Sequence, residues 1–102
     1  MRAATEVALI EWREGERRLA ALDLPVARRA VIEGVVEEIR AELRRRVGST
    51  YDMDDLAAEY EGAESWCLDV AQRTTGHTWA YDLAVVQDAA FARFAREATD
   101  FR

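Results

Sequence analysis

The chain has 102 residues, half of them apolar and a third charged, which is the balance of one ordinary globular domain and not of a disordered chain. Its net charge is −6, spread unevenly: residues 1–47 carry +1 and residues 48–102 carry −7. An acidic chain is repelled by phosphate backbones and anionic membranes, so the composition disfavours nucleic acids and lipid surfaces as partners.

Nothing in the sequence suggests export or membrane insertion. No stretch approaches the roughly 18 apolar residues of a membrane-spanning helix. The apolar run at residues 7–10 is bracketed by Glu6 and Glu11, and it is far too short for the core of a signal peptide. Cys67 is the one cysteine and cannot form an internal disulfide. We therefore expect a cytoplasmic protein that does not associate with membranes.

The first two predicted helices cover residues 4–22 and 25–47. The apolar stripe of the first is Ala8, Trp12, Gly15, Leu19 and Leu22. The stripe of the second is Ile32, Val36, Ile39, Leu43 and Val47, with Val31 and Val35 beside it. Pro25 suits the first turn of the second helix because no N–H is needed there. Gly48 follows as a left-handed C-terminal cap of the second helix.

The third and fourth predicted helices cover residues 53–73 and 80–99. The apolar seam of the third is Met53, Leu56, Tyr60, Ala63, Cys67 and Val70, at alternating steps of three and four. The apolar side of the fourth is Leu83, Val86, Ala90, Phe94 and Phe101. No segment alternates apolar and polar residues as a strand does. Four helices with short connections favour antiparallel neighbours. The prediction is an all-α, up-down-up-down four-helix bundle in a single domain, 1–102.

The stretch "TYDMDDL" at residues 50–56 resembles a metal or general-acid motif but is better explained as a helix start. Asp52 at the N-cap can accept hydrogen bonds from free N–H groups of the first turn. Asp54 and Asp55 then place negative charge where the helix dipole favours it. We expect the arginine run at residues 44–46 to lie near these aspartates and to balance their charge. A calcium loop is excluded because Ala57 occupies the position of its glycine.

No catalytic, metal or cofactor site emerges from the remaining chemistry-bearing residues. One histidine, His77, and one cysteine cannot supply a structural zinc site. A buried, inert thiol is the expected state of Cys67 on its apolar seam. A serine nucleophile would need a turn such as G-x-S-x-G, and the sequence has none. We predict no catalytic residues, no metal and no cofactor.

Two other function classes stay open as alternatives. All-α nucleotide pyrophosphatases hold magnesium with carboxylate pairs three residues apart, and Glu61 with Glu64 and Glu97 with Asp100 have that spacing. A helix-turn-helix over residues 55–72 would make the protein a DNA-binding regulator, although its second half is acidic. The sequence leaves open whether residues 55–72 form one helix or two.

The leading hypothesis is a small non-enzymatic protein that acts through protein–protein contacts, as a subunit, adaptor or regulator, with a protein partner or with itself. Arginines at the start of the second predicted helix oppose its dipole, and others near the end of the first should lie at the same end of the bundle. Aromatic residues in the loop before the last helix could anchor a partner. The candidate binding residues are Arg17, Arg18, Arg28, Arg29, His77, Trp79 and Tyr81.

Overall fold

The computed structural model describes the backbone of residues 4–100 and the side chains of residues 5–97. This part of the chain forms five α-helices and no strand, so the all-α prediction is confirmed. The helices are α1 (Ala4–Ala21), α2 (Val26–Val47), α3 (Met53–Glu61), α4 (Ala63–Thr75) and α5 (Leu83–Asp100). The radius of gyration, 13.4 Å, is that of a compact chain of this length. None of the described helices is both long enough and apolar enough to cross a membrane.

The third predicted helix, residues 53–73, consists of two helices. Gly62 separates α3 from α4 with φ −108° and ψ 10°. The break is a single residue, so the apolar seam continues in phase, with Leu56 buried before it and Ala63 buried after it. The prediction of one continuous helix was wrong because a glycine in a helix interior is unfavourable, and breaking the helix there is therefore inexpensive.

Local capping explains the other helix ends. Gly48 ends α2 with φ 73° and ψ −160°, a backbone conformation that is nearly restricted to glycine. The predicted left-handed conformation was wrong, because this ψ lies far from the left-handed helical region. The last helix begins at Leu83 rather than at residue 80, because Asp82 accepts a hydrogen bond of 3.0 Å from the Ala84 N–H and thereby caps the first turn.

The last helix, α5, lies at the centre of the fold. Every residue from 85 to 92 is buried, and the helix packs against α1, α2 and α4. The prediction placed the apolar residues of this helix on one side, whereas a helix with neighbours on several sides is buried all round. Alanines at several positions keep α5 narrow and let its neighbours approach. Phe101, assigned to the same apolar side, lies outside the described residues.

An aromatic cluster joins α1, α3 and α5 in the core. The ring of Trp12, which is fully buried, lies 5.4 Å from that of Tyr60 and 5.2 Å from that of Phe91, between ring centres. Tyr60 and Phe91 meet edge to face at 5.1 Å. Aromatic pairs at such distances contribute about 0.5–1.5 kcal/mol beyond the burial of their area. The cluster therefore fixes α1 and α3 against the central helix.

Ion pairs surround the C-terminal half of α5. Arg93 donates hydrogen bonds to Glu33 at 2.7 Å and to Glu16 at 3.2 Å, which links α5 to α2 and α1. Arg96 also pairs with Glu16, at 2.9 Å. The hydrogen bond from Arg96 is the main reason why the pKa of Glu16 lies below its usual value. This half of α5 is thus a region in which acids and arginines are matched.

Among the described residues, the arginine run at residues 44–46 forms no ion pair with the aspartates at 52–55, which the sequence had suggested as its partners. In the described structure its side chains pair with Glu97 on α5, at 2.5 Å, and with Glu42 one turn earlier on α2, at 2.8 and 3.1 Å. One guanidinium also lies 4.7 Å from the centre of the Trp66 ring. Arg46 also lies 3.7 Å from Glu59 on α3, so the run has carboxylate partners on α2, α3 and α5 without the aspartates.

Candidate functional site

Among the arginines selected from the sequence, Arg29 joins the start of α2 to the end of α1. From the first turn of α2, Arg29 donates hydrogen bonds to the carbonyl oxygen of Leu19, at 3.3 Å, and to that of Leu22. Carbonyl groups at the end of a helix lack partners within the helix. Arg29 therefore caps α1, which explains a cation at a helix start where the dipole is unfavourable.

Arg28 connects the aromatic loop to this corner. Its guanidinium carbon lies 5.8 Å from the centre of the Tyr81 ring, within the range of a cation–π contact. The Tyr81 ring in turn lies 5.0 Å from that of Trp79. Trp79 is buried, whereas Tyr81 is half-buried, so Tyr81 is the aromatic side chain that this loop presents to solvent.

The other predicted contact residues are Arg17, Arg18 and His77, and all three are exposed. Arg17 pairs with Glu14 at 2.6 Å, and this contact lowers the pKa of Glu14. Arg18 forms no ion pair with the described residues. His77 is exposed, and its Nδ1 lies 3.0 Å from the neighbouring carbonyl oxygen of Thr78. The structure therefore joins Arg28 to Tyr81 and Arg29 to the end of α1, whose last turn carries Arg18, while the described contacts of His77 stay within its own loop.

Apolar side chains are exposed beside these cations. Val26 is 87% exposed and Leu22 is 44% exposed. Leu22 and Val31 were expected on or beside buried stripes, and that prediction was wrong: α1 ends before Leu22, and Val31 is 46% exposed. We define the basic corner by the exposed or half-buried residues of this region: Arg17, Arg18, Leu22, Val26, Arg28 and Tyr81.

The aspartate stretch begins α3 with Asp52 at the N-cap, as the sequence predicted, and Asp55 completes a capping box that was not predicted. Asp52 stands at the N-cap of α3 and accepts a hydrogen bond of 2.9 Å from the Asp55 N–H. The Asp55 side chain accepts one of 3.1 Å from the Asp52 N–H in return. Two free donors of the first turn are thus satisfied by the two carboxylates. The geometry assigns these residues to helix initiation.

Replacing Asp52 with alanine should lower the free energy of unfolding by roughly 0.5–2 kcal/mol, because the first turn of α3 loses its cap. Urea denaturation would measure the change. Asp54 is the matched control, since this exposed neighbour makes no capping hydrogen bond and Asp54→Ala removes only a dipole-matched charge. Equal losses for the two variants would contradict the capping assignment.

Cys67 is a buried side chain of the core. It is fully inaccessible on α4, and burial is the main reason why the pKa of its thiol rises to about 12. A thiol with so high a pKa is protonated at neutral pH and is a poor nucleophile. Among the described residues, no three His, Cys, Asp or Glu side chains lie together as the ligands of one metal ion would.

The two carboxylate pairs that suggested a pyrophosphatase do not converge. Glu61 and Glu64 lie at the junction of α3 and α4, beside Leu83 at the start of α5. Glu97 is fourteen residues further along that helix, about 20 Å away at 1.5 Å per residue, where it pairs with an arginine of α2. The Asp100 side chain lies outside those described. One magnesium site cannot draw on groups so far apart.

The geometry at Gly62 also differs from a helix-turn-helix. The break between α3 and α4 is one residue, whereas the DNA-binding motif has a turn of three to four residues. The exposed side of α4 carries Glu64 and Asp69, and its one arginine, Arg73, pairs with Asp69 at 2.8 Å. This surface would repel phosphate groups, and it has few hydrogen-bond donors that could contact the base edges.

A buried polar pair was missed by reasoning from the sequence. Asp88 is 6% exposed on α5 and accepts a hydrogen bond of 2.5 Å from the Tyr60 hydroxyl. Burial is the main reason why the pKa of each group lies above its usual value. Gly15 of α1 faces Asp88 so closely that a Cβ added there would lie 2.8 Å from the Asp88 carboxyl carbon. The one sequence signal was the polar pair Gln87 and Asp88 inside an otherwise apolar run, and a reading of apolar periods gives such a pair little weight.

Comparison with protein-family models, with curated proteins and with solved structures gives no match to this chain. The function is therefore argued from the geometry of the chain alone.

Proposed function

We propose that the protein is a non-enzymatic, cytoplasmic adaptor or regulatory subunit that binds an acidic segment of a partner protein through the basic corner. In this proposal the scaffold is an antiparallel bundle in which α3 and α4 together take the place of the third helix. The observation that carries the proposal is the exposure of Val26, 87%, in the same first turn of α2 as Arg28, which belongs to no ion pair of the described residues.

Charge supports an acidic partner. Residues 17–31 hold four arginines and one acid, Asp23, which gives +3 within a chain whose net charge is −6. The basic corner is thus a local region of opposite sign, and such regions steer the association of complementary surfaces. Arg18 and Arg28 are the cations available to a partner, because Arg29 is held by the end of α1.

The apolar and aromatic residues of the corner support a protein partner rather than a small anion. Val26 and Leu22 offer apolar area, and Tyr81 offers a half-buried ring already stacked on Arg28. Tyrosine and arginine are enriched among the residues that dominate the energy of protein–protein interfaces. A partner segment with acidic residues flanking an apolar side chain would match this surface.

Charge reversal in the corner tests the proposal. Tagged wild-type protein and Arg18→Glu/Arg28→Glu would be used to capture proteins from the native host, with identification by mass spectrometry. Arg13→Glu/Arg73→Glu is the matched control, because both arginines are exposed, lie outside the corner and give the same change in net charge. We expect one acidic protein to be retained by the wild type and the control, and lost with the corner variant.

Equal capture by the corner variant would contradict the proposal, as would failure of the wild type to retain any protein. Circular dichroism of all the variants establishes that each remains folded. If the captured protein is the chain itself, size-exclusion chromatography of the corner variant should show loss of the oligomer.

A further inference from the structure

One side of α1 is not packed against another described helix. The helix packs mainly on α5 and α3, and its inner side, with Trp12 and Leu19, is buried. Its outer side is exposed along a row with alternating steps of three and four residues: Val7, Ile10, Glu14, Arg17 and Ala21. We call these five residues the outer row. Such steps keep side chains on one face of a helix, here over about 27 Å for 18 residues.

The N-terminal part of the outer row is apolar. Val7 is 43% exposed and Ile10 is 41% exposed, and the two lie on neighbouring turns of one face. Apolar residues at alternating steps of three and four are the pattern through which helices pair along their length. The outer row therefore has the spacing and the apolar side chains to pair with another helix.

The charges of α1 complement a second, antiparallel copy of the same helix. In the outer row the acid Glu14 precedes Arg17, and on one flank of the row the acid Glu11 precedes Arg18. A pair of antiparallel helices centred midway between residues 14 and 17 places each acid opposite the arginine of the other copy. By the two-fold symmetry each pair occurs twice. Parallel helices would instead place Glu14 against Glu14 and Arg17 against Arg17.

These charges are available to a second copy. Glu11 and Arg18 belong to no ion pair of the described residues. Both act on the pKa of Asp88, with opposite signs, which agrees with their position on the same flank of α1. Arg17 and Glu14 pair only within α1, with 68% and 58% of their side chains exposed. Such an exposed pair is weakly held, so both groups can turn to another chain.

We propose that the protein forms a symmetric homodimer in which the outer row of α1 packs antiparallel against the outer row of a second copy. Ile10 lies opposite Ala21 of the second copy, so that a large side chain meets a small one at each end of the contact. A contact along one helix is smaller than the roughly 800 Å² per partner of a standard interface, so the dissociation constant should be on the order of 0.1 mM. The dimer goes beyond the proposed function and does not rest on it, although Arg17 and Arg18 also belong to the basic corner.

Sedimentation equilibrium of the purified protein tests the dimer. The mass of the wild type should rise towards twice the monomer mass of 11.6 kDa as the concentration approaches about 1 mM. Glu14→Arg and Arg17→Glu should each weaken association about tenfold or more, because each turns two attractive pairs into two repulsive ones. Glu38→Arg on α2 is the matched control for Glu14→Arg and should associate as the wild type does, since Glu38 is also exposed and lies outside α1.

A mixture of the two charge-reversed variants identifies the antiparallel pairing. In a dimer of Glu14→Arg with Arg17→Glu, the two substituted positions lie opposite each other with opposite charges, and so do the two unchanged positions. An equimolar mixture should therefore associate far more strongly than either variant alone. Glu11→Arg and Arg18→Glu form a second, independent pair for which the same recovery is expected. Circular dichroism establishes that each variant is folded.

Three results would overturn the inference: a wild type that stays monomeric at about 1 mM, association of the single variants equal to that of the wild type, or mixtures that associate no more than their components. The purified protein contains no acidic partner from the host. Failure of the proposed function would therefore leave these results unchanged, and loss of the dimer would leave the capture of a partner by the basic corner to be judged by its own experiment.

Discussion

Gly15→Ala should destabilise the protein by roughly 1–3 kcal/mol, although alanine normally strengthens a helix. An added Cβ would overlap the Cβ of Asp88 and lie 2.8 Å from its carboxyl carbon. The nearest obstacle is the Cβ of a residue on the central helix, so α1 and α5 would have to move apart. The gain of about 1 kcal/mol in helix propensity cannot offset the loss of packing around Trp12 and Phe91 that follows.

Gly34 of α2 provides the matched control for this prediction. Nothing lies within 4 Å of a Cβ added there. Gly34→Ala should therefore stabilise the protein by up to about 1 kcal/mol. Urea denaturation of both variants measures the two changes, which should have opposite signs. Stabilisation by Gly15→Ala would show that α1 does not pack on α5 through this glycine. Asp88→Gly, by removing the obstructing Cβ, should reduce the cost of Gly15→Ala in a double-mutant cycle.

Tyr60→Phe should lower the free energy of unfolding by about 1–3 kcal/mol at neutral pH, because Asp88 loses its hydrogen-bond donor while it stays buried. Tyr81→Phe is the control, since the Tyr81 hydroxyl makes no hydrogen bond to the described residues. Thermal and urea denaturation would measure both variants. A loss no larger for Tyr60→Phe than for Tyr81→Phe would show that the buried hydrogen bond contributes little.

The same pair predicts a pH dependence of stability. Burial raises the pKa of Asp88. The hydrogen bond from Tyr60 and the charge of Arg18 oppose this shift, whereas the charges of Glu11 and Asp82 add to it. The folded protein therefore keeps a proton on this carboxyl at pH values where the unfolded chain has lost it. The contribution of Asp88 to stability is thus most favourable in acid. It is lost as the pH rises from the unfolded pKa of about 4 through the raised pKa of the fold.

Asp88→Asn isolates this contribution, because asparagine keeps an acceptor for the Tyr60 hydroxyl but does not ionise. The stability of the variant relative to the wild type should increase from about pH 3 to about pH 7. The comparison is needed because Glu14, Glu16 and Glu42, whose pKa values are lowered by arginines, give the opposite slope in both proteins. A difference that stays constant with pH would contradict the raised pKa of Asp88.

The sequence alone determined the helices and several of their ends. The periods of apolar residues placed α1 and α2 within about one residue, and the N-cap at Asp52 could be recognised because N-cap chemistry is local in the chain. The break at Gly62 was not predicted, because the apolar seam keeps its phase across a one-residue interruption.

Only the tertiary structure decided which helix is central and which charges find partners. The burial of α5 on all sides, the contact of Gly15 with Asp88 and the hydrogen bond from Tyr60 all join residues far apart in the chain. The same holds for Arg29, which looked available to a partner and instead caps α1. Local patterns fix which face of a helix is apolar, whereas the neighbour of each face depends on how the helices pack.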